Sequence, residues 1–119
     1  MSYVDGFLVP VPKSKTEQYE QMARESGKIW MEFGALSFRE CRADDVKPGK
    51  WTSFPQAVDL KDDEVVYFSY ITYKSRADRD AVNEKVMADP RMAALIEGQE
   101  LPFDGKRLIF GGFETAVDF

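Results

Sequence analysis

Residues 64–73 read EVVYFSYITY, and strand alternation places Val65, Tyr67, Ser69, Ile71 and Tyr73 on one side and Val66, Phe68, Tyr70 and Thr72 on the other. Both sides are apolar or aromatic. A strand with one wet face would show polar residues at every second position, so this stretch predicts a central strand in a sheet covered on both faces.

Downstream, Ser75 followed three residues later by Asp78 has the form of a helix N-cap with a first-turn acid, opening a helix through Ala81, Val82 and Val86 that Pro90 interrupts. A further helical turn over Met92–Ile96 precedes Gly98, and Asp104-Gly105 turns the chain into a last strand over Lys106–Val117. Upstream, 42–63 is a polar excursion in which Lys47-Pro48-Gly49-Lys50 suits a type II turn. Its two large aromatics, Trp51 and Phe54, are expected to pin the loop onto the core or a partner subunit. Leu36–Cys41 reads as a strand with Leu36, Phe38 and Glu40 on one side and Ser37, Arg39 and Cys41 on the other. Before it, Tyr19, Met22, Ala23, Ser26, Trp30 and Phe33 recur at three-four spacing, predicting a helix over Ser14–Phe33 that Gly34 ends. Gly27, inside that helix, marks close packing or a weak point. Tyr3–Val9 is the first strand, expected to end where Pro10 and Pro12 lack amide donors.

The resulting β-α-β-β-α-β order is ferredoxin-like, an α+β fold with a four-stranded antiparallel sheet in the order four-one-three-two, and residues 1–119 form a single domain of this kind. Two helices cover one sheet face. The second apolar face is left for another copy, so the pattern predicts a homodimer with sheets face to face, a dimeric α+β barrel.

Composition narrows the function. The chain has no histidine, which removes Ser-His-Asp and Cys-His catalysis, histidine-ligated zinc and proximal-histidine haem. Sixteen Lys+Arg against twenty-one Asp+Glu give a net charge of -5, unfavourable for a nucleic-acid partner. The longest apolar run is Met92–Ile96, and Met1–Asp5 has neither a basic segment nor an apolar core, so neither a membrane span nor a secretory leader is expected. Cys41 is alone, reads as an inert packed thiol, and fits a reducing cytoplasm. The acidic runs lack calcium-loop spacing, and no phosphate-binding or dinucleotide glycine motif occurs, so no metal and no cofactor is expected.

Polar residues set among apolar strand positions, Asp5, Glu40, Ser69, Tyr70, Arg107 and Glu114, mark a candidate pocket, with Trp30 and Tyr67 as flanking aromatics for an aromatic substrate. A carboxylate in apolar surroundings gains proton affinity and acts as acid or base, while arginine orients an anionic or carbonyl group. Asp5 is expected near the end of the last strand that holds Glu114, with Arg107 at the other end. Gly6, Gly111 and Gly112 leave room between neighbouring strands or mark a bulge. Two functional readings follow: a dimer that binds or transforms a small organic molecule, and a non-catalytic protein-interaction or regulatory module in which Trp51 and Phe54 make contacts.

Several segments, taken in order, carry a family resemblance: Tyr3-Val4-Asp5-Gly6-Phe7, Val9-Pro10-Val11-Pro12, Asp44-Asp45, Thr52-Ser53-Phe54, Ser75-Arg76 with Arg79-Asp80, Met87-Ala88-Asp89-Pro90-Arg91-Met92, and Pro102-Phe103-Asp104-Gly105-Lys106-Arg107 leading to Gly111-Gly112-Phe113. Together they resemble the YbaA-like family, a domain of unknown function within the dimeric α+β barrel superfamily, over nearly the whole chain. The resemblance implies a ferredoxin-like subunit paired into a barrel. More distant members of that superfamily include haem-degrading and cofactor-independent monooxygenases, isomerases and chlorite-decomposing haem enzymes. The haem degraders use an Asn, Trp and His set, and a chain without histidine, with Asn83 as its only asparagine, does not carry that set.

Overall fold

In a computed structural model describing residues 1–119, the EVVYFSYITY stretch is β3, Glu64–Tyr73, and it has a neighbour along both edges. On one side lies β2, Ser37–Arg42, and on the other β1, Tyr3–Pro12, which also pairs with β4, Ile109–Glu114. All pairs are antiparallel and the order is β2-β3-β1-β4, as the sequence pattern predicts.

β1 does not stop at Val9. It continues through Pro10 and Pro12, opposite Val66 and Glu64. The register explains the tolerance. Lys13 N donates to Asp63 O at 2.7 Å, so odd-numbered amides of β1 point toward β3 and even-numbered ones toward β4. β4 begins at Ile109, opposite Leu8, so the missing amides of Pro10 and Pro12 fall where no strand waits for them.

The helices cover one face. α1, Thr16–Glu32, buries Tyr19, Ser26, Gly27 and Ile29. It ends at Gly34, whose φ of +116° a side-chain-bearing residue rarely adopts. Gly27 answers to close packing: a Cβ there would meet the Phe38 ring of β2 at 2.9 Å. α2, Phe54–Ala57, is a single turn capped by Ser53, which accepts from Gln56 N at 3.2 Å. α3, Arg76–Ala88, starts where Ser75 Oγ accepts from Asp78 N at 3.1 Å. Asp89 then caps α4, Pro90–Ile96, with proline in its first turn. One core cluster joins Tyr3, Ile71 and Tyr73 of the sheet to Ile29, Val82, Val86 and Met92, and a second holds Val9, Val11, Tyr19 and Tyr67. Each strand residue in these clusters is odd-numbered, on the helix side.

The other face is covered only in part in the single chain: Val66 is buried beside the Phe54 segment, while much of the face stays open. Phe68 is 48% exposed and Phe113 64%, beside Val4 and Leu8. Cys41 opens onto this face next to Phe68 and is exposed, which corrects its reading as a packed thiol. Gly6 and Gly111 are cross-strand partners, and the Phe113 ring lies within 3.8 Å of a Cβ placed on either. Gly112 instead makes room for Tyr3, whose hydroxyl would lie 2.5 Å from an added Cβ.

Two loop expectations change. Gly49 does not take positive φ, so Lys47–Lys50 forms no type II turn. Gly49 instead approaches the Thr52 carbonyl too closely for a Cβ and donates its amide to Gln56 Oε1 at 2.9 Å. Trp51 is 85% exposed and pins nothing within the chain, whereas Phe54 packs edge-on against Phe68 on the part-covered face. The last strand is also shorter than Lys106–Val117. Asp104 caps a 3-10 turn over Gly105–Arg107, delaying β4 to Ile109, and its pairing closes with Thr115 N donating to Ser2 O.

Candidate functional site

Glu40 of β2 and Ser69 of β3 are direct cross-strand partners on the helix side of the sheet. Alternation aims both at α1, where Tyr19 occupies the inward stripe. Buried tyrosine hydroxyls need partners. Tyr19 Oη donates to Glu40 Oε1 at 2.6 Å, and Ser69 Oγ donates to the same oxygen at 2.5 Å. Oε2 receives only the long leg of the tyrosine contact, 3.2 Å, and so keeps unused acceptor capacity.

This cluster borders a chamber of about 170 Å³ between α1 and the sheet, walled by Phe7, Tyr19, Trp30, Phe38 and Phe103. On its outer side, α1 and the edge strand β2 frame a wide surface groove lined by Glu20, Arg24, Lys28, Arg42 and Tyr67. Ala23, Phe38 and Glu40 line both spaces, so the carboxylate stands at the boundary between an open groove and an aromatic interior.

Burial raises the pKa of Glu40 above the ordinary carboxylate range. Hydrogen bonds from Ser69 and Tyr19 counter part of that rise, and the like charge of Glu20 adds to it. Burial, together with the neighbouring Glu40 carboxylate, also pushes the Tyr19 phenol up, which keeps it a donor. The arrangement offers one hydrogen-bond and proton acceptor of raised basicity, fixed by two hydroxyls, against flat apolar walls.

The other candidates lie elsewhere. Trp30 lines the same chamber, and its Nε1 donates to Asn83 Oδ1 at 3.1 Å. Tyr67 sits behind Tyr19, ring centroids 4.6 Å apart, with its hydroxyl donating to Glu20 Oε2 at 2.6 Å on the groove side. Asp5 belongs to a separate buried knot in which Arg79 Nη1 donates to Oδ1 at 3.1 Å and the Arg79 guanidinium stacks over the Tyr3 ring. Burial raises the Asp5 pKa and Arg79 opposes that rise. Arg107 is a clamp. It donates to both oxygens of Glu64 and to the carbonyls of Val58 and Asp59, tying the approach to β4 onto the loop before β3. Glu114 is exposed at the sheet edge opposite Tyr3, two positions beyond the Asp5–Gly112 pair. Glu40, Ser69 and Trp30 therefore meet at one place, while Asp5, Arg107 and Glu114 do not reach it. Tyr19 does not stand out in the sequence, because at helical core spacing a tyrosine reads as packing. The missing signal was its hydroxyl, whose partner only the register reveals.

No helix is long and apolar enough to cross a membrane, and no three His, Cys, Asp or Glu side chains gather where a metal ion could be held.

Comparison with known proteins places the chain in a family. The model of a protein of unknown function, DUF1428, matches residues 2–105. The chain is 50% identical over 118 residues, 99% of each chain, to the uncharacterised protein YbaA of Escherichia coli K12, and equally similar to YbaA of Shigella flexneri. Among solved structures it resembles an uncharacterised NIPSNAP domain protein from Burkholderia xenovorans, with TM-score 0.63 and 16% identity over 97% of this chain and 95% of that one. It also resembles a dimeric ferredoxin-like protein from an uncultured marine organism, with TM-score 0.58 and 12% identity over the full length of both. These structural likenesses establish the α+β ferredoxin-like fold. The near full-length identity to YbaA goes further: the chain belongs to the DUF1428 family of YbaA-like proteins, whose function is not assigned.

Proposed function

We propose that this protein is a cytoplasmic homodimer of single domains, residues 1–119, that binds or transforms a small organic molecule in the chamber between α1 and the sheet. Glu40 acts there as acceptor or base, Ser69 and Tyr19 hold it, and Trp30 forms a wall. The observation that carries the ligand reading is the half-satisfied Glu40 carboxylate at the boundary between an aromatic chamber and the open groove. Pockets that combine apolar walls with a few fixed polar groups are where small molecules bind. Pairing of two copies is supported by the part-covered apolar sheet face bearing Phe68 and Phe113, and by the dimeric description of one structural neighbour. The reading invokes no cofactor, metal or nucleic acid.

Native mass spectrometry of protein purified gently from its own cells tests both parts. The expected result is a dimer carrying a stoichiometric extra mass. A monomer refutes the pairing, and a bare dimer that admits no small aromatic probe refutes the ligand reading.

A second reading, a non-catalytic protein-interaction module, is favoured by the 85% exposure of Trp51 on a loop beside an apolar groove of about 280 Å³ that includes Phe54. Alanine at Trp51 and Phe54 separates the two. Loss of assembly with intact subunits supports an interface role, and unchanged assembly removes it.

A further inference from the structure

The fold supplies arginines to its other sheltered carboxylates: Arg79 to Asp5, Arg42 to Glu20, Arg107 to Glu64 and Arg91 to Asp89. Glu40 alone among the acids that are not fully exposed has no cationic partner, only the hydroxyls of Tyr19 and Ser69. Arg39 borders the chamber, yet as the strand neighbour of Glu40 it alternates to the opposite face, paired with Tyr70. The charge that acts on Glu40 is that of Glu20, of like sign, and it adds to the effect of burial. A carboxylate withdrawn from water without a countercharge is costly, and the cost is relieved by whatever brings a positive charge beside it. The walls favour the same kind of guest, because faces of Trp, Tyr and Phe attract cations. The scale is set by volume: a dry cavity of about 150 Å³ accepts one benzene ring, and this one has about 170 Å³.

We propose that the chamber selects a small organic cation, a one-ring or similarly compact primary amine whose ammonium group donates to Glu40 while its apolar body lies among Phe7, Trp30, Phe38 and Phe103. The proposal rests on the ligand reading above and adds to it the charge of the ligand. An anion of the same size is excluded by repulsion from Glu40. A neutral isostere fits the walls but leaves the carboxylate uncompensated.

Benzylamine, benzyl alcohol and benzoate are near-isosteric and differ in charge, so isothermal titration calorimetry of the three against the unmodified protein near neutral pH tests the proposal directly. Benzylamine is expected to bind at least about tenfold more tightly than benzyl alcohol, with benzoate weaker than either. In E40Q, which keeps shape and removes charge, benzylamine is expected to fall to the level of benzyl alcohol. Equal binding of amine and alcohol to the unmodified protein overturns the charge assignment while leaving the chamber as a ligand site. The same follows if the tenfold preference persists in E40Q. Failure of all three to bind a folded dimer overturns both the assignment and the ligand reading beneath it.

Discussion

Replacing Gly27 by alanine sets two effects of known size against each other. In an ordinary helix interior the substitution stabilises by about 0.5–1 kcal/mol, because glycine gives up more chain entropy on folding. Here the new Cβ would stand 2.9 Å from Phe38 Cδ1, 3.1 Å from Cε1 and 3.3 Å from Cγ. The contact runs along a whole ring edge down to its root, so turning the ring cannot clear it. The ring must translate, and Trp30, with ring centroid 5.9 Å away, stands beside it. Overpacking of this kind costs about 1–3 kcal/mol. The upper half of that range applies to a rigid aromatic, which leaves G27A less stable by about 1–2.5 kcal/mol, or a Tm lower by roughly 4–10 °C for a domain of this size. Urea denaturation at fixed protein concentration gives the free energy. The decisive comparison is with F38A, where the ring is gone and the same glycine substitution should become stabilising by about 0.5–1 kcal/mol. If G27A has the same sign and size in both backgrounds, the contact between α1 and β2 is not what demands glycine, and the reasoning fails.

Four further outcomes are expected. Glu40 has a folded pKa above its ordinary value of 4.5, so between those two values the folded state holds more protons than the unfolded one and stability falls as pH rises. E40Q removes that dependence, and its stability relative to wild type should improve from pH 4 to pH 7 in paired denaturation curves; a flat or opposite trend refutes the burial of the charge. R107A strands the buried Glu64 and should cost about 3 kcal/mol near neutral pH. Arg107 holds the Glu64 pKa below 4.5, so this loss should shrink as pH falls through that depressed value, and a pH-independent deficit would contradict it. On the proposed pairing of two copies, F113D places a charge between the two sheets and should give a monomer where the unmodified protein gives a dimer in light scattering, with far-UV circular dichroism unchanged. W51A should leave subunit stability within about 0.5 kcal/mol, since Trp51 is 85% exposed.

What was readable in the sequence follows from where local rules and tertiary context agree. EVVYFSYITY carries its strand period on both faces, and β3 occupies Glu64–Tyr73 as read. Ser75 begins α3 because its hydroxyl answers an amide that any helix start leaves free. The misreadings occur where a local signal depends on a neighbour. Prolines end a strand only if a partner needs their amides, and at Pro10 and Pro12 the register takes that partner away. Pro48-Gly49 suggested a turn, yet the glycine serves close approach to Thr52 instead of a left-handed conformation.

The site shows the same division at finer grain. Asp5 and Glu40 are both acids set among apolar strand residues, and nothing in either local sequence separates them. The separation comes from long-range partners: Arg79 reaches back across the fold to Asp5, and no arginine reaches Glu40. Ser69 became informative only when the register put it opposite Glu40, and Tyr19 only when α1 laid its stripe over that pair. Burial makes carboxylates expensive, and a small domain relieves most of that expense with its own cations. The carboxylate left without one is therefore distinguished by what the fold omits, and the chamber beside it turns that omission into a chemical preference that titration with three isosteric ligands can read.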